Sequence, residues 1–221
     1  MTIPTTNATR QSSIAVVVIL CWAALAAAQP SPGSLDSLQS LVRRLQSASA
    51  DERKAALVDL RSQRVRAIEE LMRIVANERS TKSGKPDTAL HLAILTLGEW
   101  NAAGVQPLLL EMIDFRLDLD AGAKYPLGYE YPAAYALTLM SPRAIAGDVT
   151  TRLAAETTSP LRRRLMVWTL YRLLGEAGAR EVLESARKRL AGDALDRIKK
   201  AQDELRLGDR LISRLPQLGR E

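Results

Sequence analysis

The chain has 221 residues, of which 25% are charged and 47% hydrophobic, and its formal net charge is +6. That composition suits a soluble folded domain and argues against disorder, while aromatics at only 4% and an abundance of Leu and Ala favour packed helices over sheet. The modest positive charge has no long basic block, so it reads as a solubility feature and not as the basic stripe of a nucleic-acid binder.

The N-terminus follows the secretory pattern, with Arg10, an apolar run of 15 residues from Ile14 to Ala28, and small residues Ala26, Ala27 and Ala28 before Gln29-Pro30. The run is shorter than the ~20 residues of a spanning helix. A signal peptide over 1–28 is therefore expected, with export to the periplasm, the cell surface or the medium. Retained, the same segment would be a membrane anchor. A lipoprotein reading of Cys21 is weaker, because Leu20 stands where a small residue is usual. Cys21 is the single cysteine, so the mature chain has no disulfide, thiolate metal site or thiol nucleophile. Loss of Arg10 with the leader lowers the charge from +6 to +5.

Residues 29–34 read as a linker. Leu38, Leu41, Val42 and Leu45 then form one helical stripe, an N-terminal capping helix opposite Arg43, Arg44 and Gln46. Ser49 and Glu52 have the spacing of a capping box ahead of Ala55, Ala56, Leu57 and Leu60. Val65, Ile68, Leu71, Met72 and Val75 mark the second helix of this pair, before a polar loop from Asn77 to Pro86.

The pair recurs. Aligning Leu60, Leu97, Leu139 and Leu174 gives separations of 37, 42 and 35 residues, a period typical of two-helix solenoid repeats. Leu97-Gly98-Glu99 matches Leu174-Gly175-Glu176, with Ala102 against Ala179 and Val105 against Val182. The glycine is expected to take a left-handed conformation that ends the first helix, and the alanines to keep the pair close.

On these units, over residues 50–191, the chain resembles the HEAT-repeat family and its HEAT-like relatives among phycobilin lyases. The best unit runs Leu90-His91-Leu92-Ala93-Ile94-Leu95-Thr96-Leu97-Gly98-Glu99 and continues Val105-Gln106-Pro107-Leu108-Leu109. The unit from Ala133 to Leu153 is degenerate, with Met140-Ser141-Pro142 in place of Leu-Gly-Glu, and Pro126, Pro132 and Pro142 limit its helices. The resemblance implies an all-α fold over 35–221: a short α-solenoid of about four antiparallel helix pairs with N- and C-terminal capping helices. It implies a protein-interaction surface and no particular activity. Leu195, Ile198, Leu205, Leu211, Ile212 and Leu215 supply the C-terminal cap, broken in two at Gly208, with residues 216–221 frayed.

The repeat pattern is interrupted at 118–131, an insert that with Tyr135 gathers Tyr125, Tyr129 and Tyr131, four of five tyrosines. Long loops on helical scaffolds are often functional, and tyrosine brings a flat apolar face plus a hydroxyl. The alternative is that these rings merely fold the loop back over the concave groove of the solenoid. Residues 98–131 also hold six acids against two bases. Asp118-x-Asp120-x-Gly122 has the start of a calcium loop, but Lys124 takes the next ligand position and no bidentate Glu follows, so no metal is expected. The lone His91 reads as a polar or packed bystander, and Trp100 and Trp168 as core.

Ser159-Pro160 opens a helix carrying Arg162, Arg163 and Arg164, a solvated face or a contact for an anionic partner. No G-x-S-x-G, phosphate-binding loop or H-E-x-x-H is present, and no cofactor is expected. The leading expectation is an exported scaffold holding a protein or peptide partner at Tyr125, Tyr129, Tyr131, Tyr135, Asp118 and Asp120. The alternatives are an enzyme or lyase-like subunit using the insert between 111 and 135, through Asp114, Asp118 or Asp120, and a membrane-apposed spacer on an uncleaved leader.

Overall fold

A computed structural model describes residues 33–120, 124–155 and 159–213, and the expected leader and the frayed tail lie outside the described residues. The described residues are mostly helical, with one bridge between two strands of two residues each. The chain divides into two compact units, one ending at Ser40 and one beginning at Leu41. Helix α1 (Gly33–Arg44) starts inside the expected linker, in the first unit, and ends in the second, where Leu41, Val42 and Leu45 are buried. Among the described residues no helix is long and apolar enough to cross a membrane.

In the larger unit, α2 (Ala50–Ser62) and α3 (Arg64–Glu78) meet at Gln63. Half of the expected capping box forms. The Glu52 amide donates to Ser49 Oγ at 3.4 Å, but the Glu52 carboxylate accepts from Ser47 Oγ, whose oxygen takes the Ser49 amide at 3.1 Å. Ser47 thus takes both groups that a full capping box would pair with each other. Val65, expected on the apolar stripe of α3, is 81% exposed because it lies in the first turn, ahead of buried Ala67, Leu71 and Val75.

Next come α4 (Ala89–Glu99), α5 (Gln106–Glu111), α6 (Pro132–Thr138) and α7 (Pro142–Ala155). Pro132 and Pro142 stand at helix starts, where a missing N–H costs nothing, and α6 is held to seven residues. Leu139, aligned as a core leucine, is 41% exposed just past α6, and Leu137 and Met140 are buried in its place. The chain ends in α8 (Pro160–Arg187), α9 (Gly192–Leu205) and α10 (Arg210–Ser213), with Gly208 at φ +50° breaking the last two as expected. Helices pack on chain neighbours (α2 on α3, α3 on α4, α5 on α6, α7 on α8, α8 on α9) and also on the element one further along the chain (α4 on α6, α6 on α8, α7 on α9).

The two Leu-Gly-Glu tripeptides part company. Gly175 has φ 68° and ψ 174°, a conformation essentially reserved for glycine, and divides α8 as expected. Gly98 stays helical and buried. The left-handed residue that ends α4 is instead Asn101, at φ 48°, with the Ala102 amide donating to Leu97 O at 3.0 Å and the Asn101 amide to Gly98 O at 2.9 Å. This paired pattern closes a helix with either Gly or Asn at the turn. Gly98 has a different job: a Cβ there would stand 2.7 Å from both Cβ and the carbonyl oxygen of Ala136, so its absence lets α4 and α6 touch.

The Gly98→Ala variant is therefore expected to lose about 2 kcal/mol, because backbone cannot yield to the added methyl. Chemical denaturation measures this, and unchanged stability would show that the two helices can separate freely.

Candidate functional site

The interrupted region is anchored at both ends. After α5 the chain forms β2 (Arg116–Leu117), which pairs in parallel with β1 (Ser83–Gly84). Asp118 N–H donates to Gly84 O at 2.8 Å, and Leu117 N–H to Glu130 O at 2.8 Å, so the far end of the insert returns to its beginning. Arg116 Nε donates to Glu130 Oε1 at 2.5 Å alongside. Neither strand is long enough to leave an alternation in the sequence.

Within the returning segment Pro126, Leu127, Gly128 and Tyr129 make a tight turn, with the Tyr129 amide donating to Pro126 O at 3.0 Å and Gly128 at φ +85°. A glycine at the third position is what such a turn requires. Packing requires it too, since a Cβ on Gly128 would lie 2.3 Å from Cη2 of Trp168. Trp168 is fully buried on α8, donates Nε1–H to Asp209 Oδ1 at 3.2 Å, and has the Arg172 guanidinium 5.9 Å from its ring.

Above that turn the tyrosines divide. Tyr125 and Tyr129 stack at 5.3 Å with 11° between planes, and Tyr135 meets Tyr129 edge-on at 6.0 Å. All three are half-buried. Tyr131 does not join them: it is only 3% exposed, and burial lifts its hydroxyl to about 12. Burial also raises Tyr129 above its ordinary value, helped by the negative field of Asp87. Both hydroxyls consequently stay protonated donors through neutral pH.

His91 completes the cluster, its ring 5.2 Å from that of Tyr129 at 84°. It is fully buried, and its Nδ1 accepts the Asp87 amide at 2.9 Å, which puts the proton of the neutral ring on Nε2. Nε2 is buried without a hydrogen-bond partner. Burial lowers the pKa to about 4, against a smaller opposing pull from the Asp87 carboxylate. The histidine read as a bystander is thus the floor under the tyrosines. Only its place on an Ala- and Leu-rich helix hinted at burial.

The remaining expected residues lie elsewhere. Asp118 and Asp120 are exposed near β2. Asp114 pairs with Arg162 at 2.8 Å, and the same guanidinium donates to Leu110 O at 2.9 Å and Glu111 O at 3.0 Å, closing the C-terminal end of α5. Arg163 grips Glu204 of α9 in a two-point pair at 2.8 and 3.1 Å, and Arg164 lies 3.5 Å from the same carboxylate. The arginine triplet is engaged inside the fold, tying α8 to α5 and α9. Among the described residues no group of three or more His, Cys, Asp or Glu is placed to hold a metal ion.

No family model matches this chain, and no curated protein and no solved structure matches it either.

Two predictions follow from this geometry. Gly128→Ala must adopt a strained turn and push against Trp168, at a cost of about 3 kcal/mol, readable as a large fall in the thermal midpoint. His91 titrates at about 4 when folded and near 6.5 when unfolded, so its stabilising effect is complete above pH 6.5 and lost as pH falls toward 4. The charged groups around it are Asp87 and its partner Arg53, with Glu99 beyond Tyr129. Relative to His91→Leu, the native chain should lose about 3 kcal/mol across that window. Parallel pH profiles for the two proteins would contradict this.

Proposed function

We propose that the chain is an exported, HEAT-like helical scaffold that holds a protein or peptide partner against Tyr125, Tyr129 and Tyr135. The supported tyrosine cluster carries the reading. Its three rings are half-buried, each offers an apolar edge and a hydroxyl, and the segment beneath is pinned by the Glu130 contacts, by Gly128 on Trp168 and by His91. Rings already ordered before binding lose little entropy when a partner covers them, which is why fixed aromatics make effective anchors.

The solenoid reading draws support from helices packed on the next or next-but-one element of the chain and from the recurrence of the helix pair at 37, 42 and 35 residues. Export rests on the apolar run and small residues ahead of Gln29.

Tyr131, being buried, belongs to the framework and not to the contact surface. Tyr125 is the cleaner probe, because it stacks on Tyr129 without touching His91. Affinity capture from envelope extract with the native chain should yield a protein that Tyr125→Ala retains at least about tenfold more weakly, with the thermal midpoint within about 2 °C. Equal retention by both baits would remove the tyrosine cluster as the site.

A further inference from the structure

A second surface in the larger unit shares no residue with the tyrosine cluster. A groove of about 1110 Å³ runs between α7, the second half of α8 and α9. It exists because its walls are small: Gly147, Thr151 and Ala154 on α7 face Gly178, Ser185 and Ala186 on α8. The threonines that line it have turned their hydroxyls inward, Thr150 Oγ1 donating to Ala146 O at 2.7 Å and Thr151 Oγ1 to Gly147 O at 2.9 Å. With the hydroxyls bonded to the preceding turn, what remains facing the groove is methyl.

Gly147 sharpens the point. Glycine inside a helix costs about 1 kcal/mol relative to alanine. A Cβ there would meet nothing within 4 Å, so no feature of this fold needs the side chain to be missing. Its absence lowers the floor of the groove by one side chain and lets another backbone come close.

The charge at the groove is also specific. Arg189 donates to Ser185 O at 3.1 Å and Arg197 to Ala154 O at 2.9 Å. Both guanidiniums are held on backbone carbonyls, and among the described residues neither forms an ion pair with a carboxylate. Glu181 is the one acid along the lining.

We propose that this groove docks an amphipathic helix of a partner protein, apolar toward Gly147 and Ala154, with carboxylates along one flank that reach Arg189 and Arg197. A helix fits the observations better than an acyl chain. The lining of the groove sets two arginines beside small and apolar side chains, which suits an occupant with one apolar and one acidic face. The wall from Gly147 to Ala155 is about 12 Å long at 1.5 Å per residue, enough for two turns of a helix lying at the close approach that small residues permit.

The test uses the full chain and two labelled synthetic helical peptides with the same Leu and Ala face, one flanked by Glu and one by Lys, read by fluorescence anisotropy. The Glu-flanked peptide should bind at least about tenfold more tightly. Gly147→Leu should abolish that binding with the thermal midpoint unchanged or raised, because the first added carbon meets nothing within 4 Å and a glycine inside a helix is costly. Arg189→Glu, whose native contact is with the Ser185 carbonyl four residues back, should reverse the preference between the peptides. Equal affinity for both peptides, or binding indifferent to Gly147→Leu, would overturn the proposal. So would a concentration-dependent dimer that Gly147→Leu dissolves, since a second copy would then be the occupant, or uptake of a fluorescent fatty acid in place of the peptide.

Discussion

Everything above the insert rests on the contact between a glycine and a tryptophan. Trp168 is buried in α8, and Gly128 lies against its ring so closely that no other residue fits. The indole also binds Asp209, at the turn before the last helix, through its one polar atom. A single side chain therefore couples the middle of the chain to its end. A large ring fixed on a helix and touched from two directions can support a loop in one place. That constraint turns the segment from Tyr125 to Tyr135 into a surface with defined geometry.

The same logic explains how identical tripeptides serve different ends. At Leu174-Gly175-Glu176 the glycine breaks a helix by adopting a backbone angle other residues resist. At Leu97-Gly98-Glu99 it remains helical and is needed because Ala136 presses on it, while Asn101 makes the turn three residues later. Periodicity located both glycines, since the repeat fixes where helices end. It could not separate their roles, because the neighbour that crowds Gly98 comes from a helix 38 residues further on. Val65 and Leu139 missed the core for a related reason: each satisfies the spacing of an apolar stripe but falls at a helix end, where the stripe has no wall to meet.

The site was legible to about the same depth. The break in the repeat marked the insert, and the clustering of tyrosines marked its content. Alternation of side chains could not tell Tyr131 from its neighbours, because that depends on which way a tight turn points its residues. His91 was invisible as part of the site, being separated from Tyr129 by 38 residues and joined to it only by folding. The arginine triplet shows the opposite failure. Three consecutive cations read as a solvated face until their partners, Asp114 and Glu204, are brought to them from α5's end and from α9.

The segment from Tyr125 to Tyr135 is held rigid by the framework below it before any partner arrives. Amide hydrogen exchange of the unliganded chain tests this directly at Leu117, Tyr129 and Tyr131, whose N–H groups donate to Glu130, Pro126 and Gly128. Protection comparable to that of the amides in α8 is the expected result. Exchange at the rate of an unstructured loop would mean that the tyrosines are not held in place, and would contradict the account of the site.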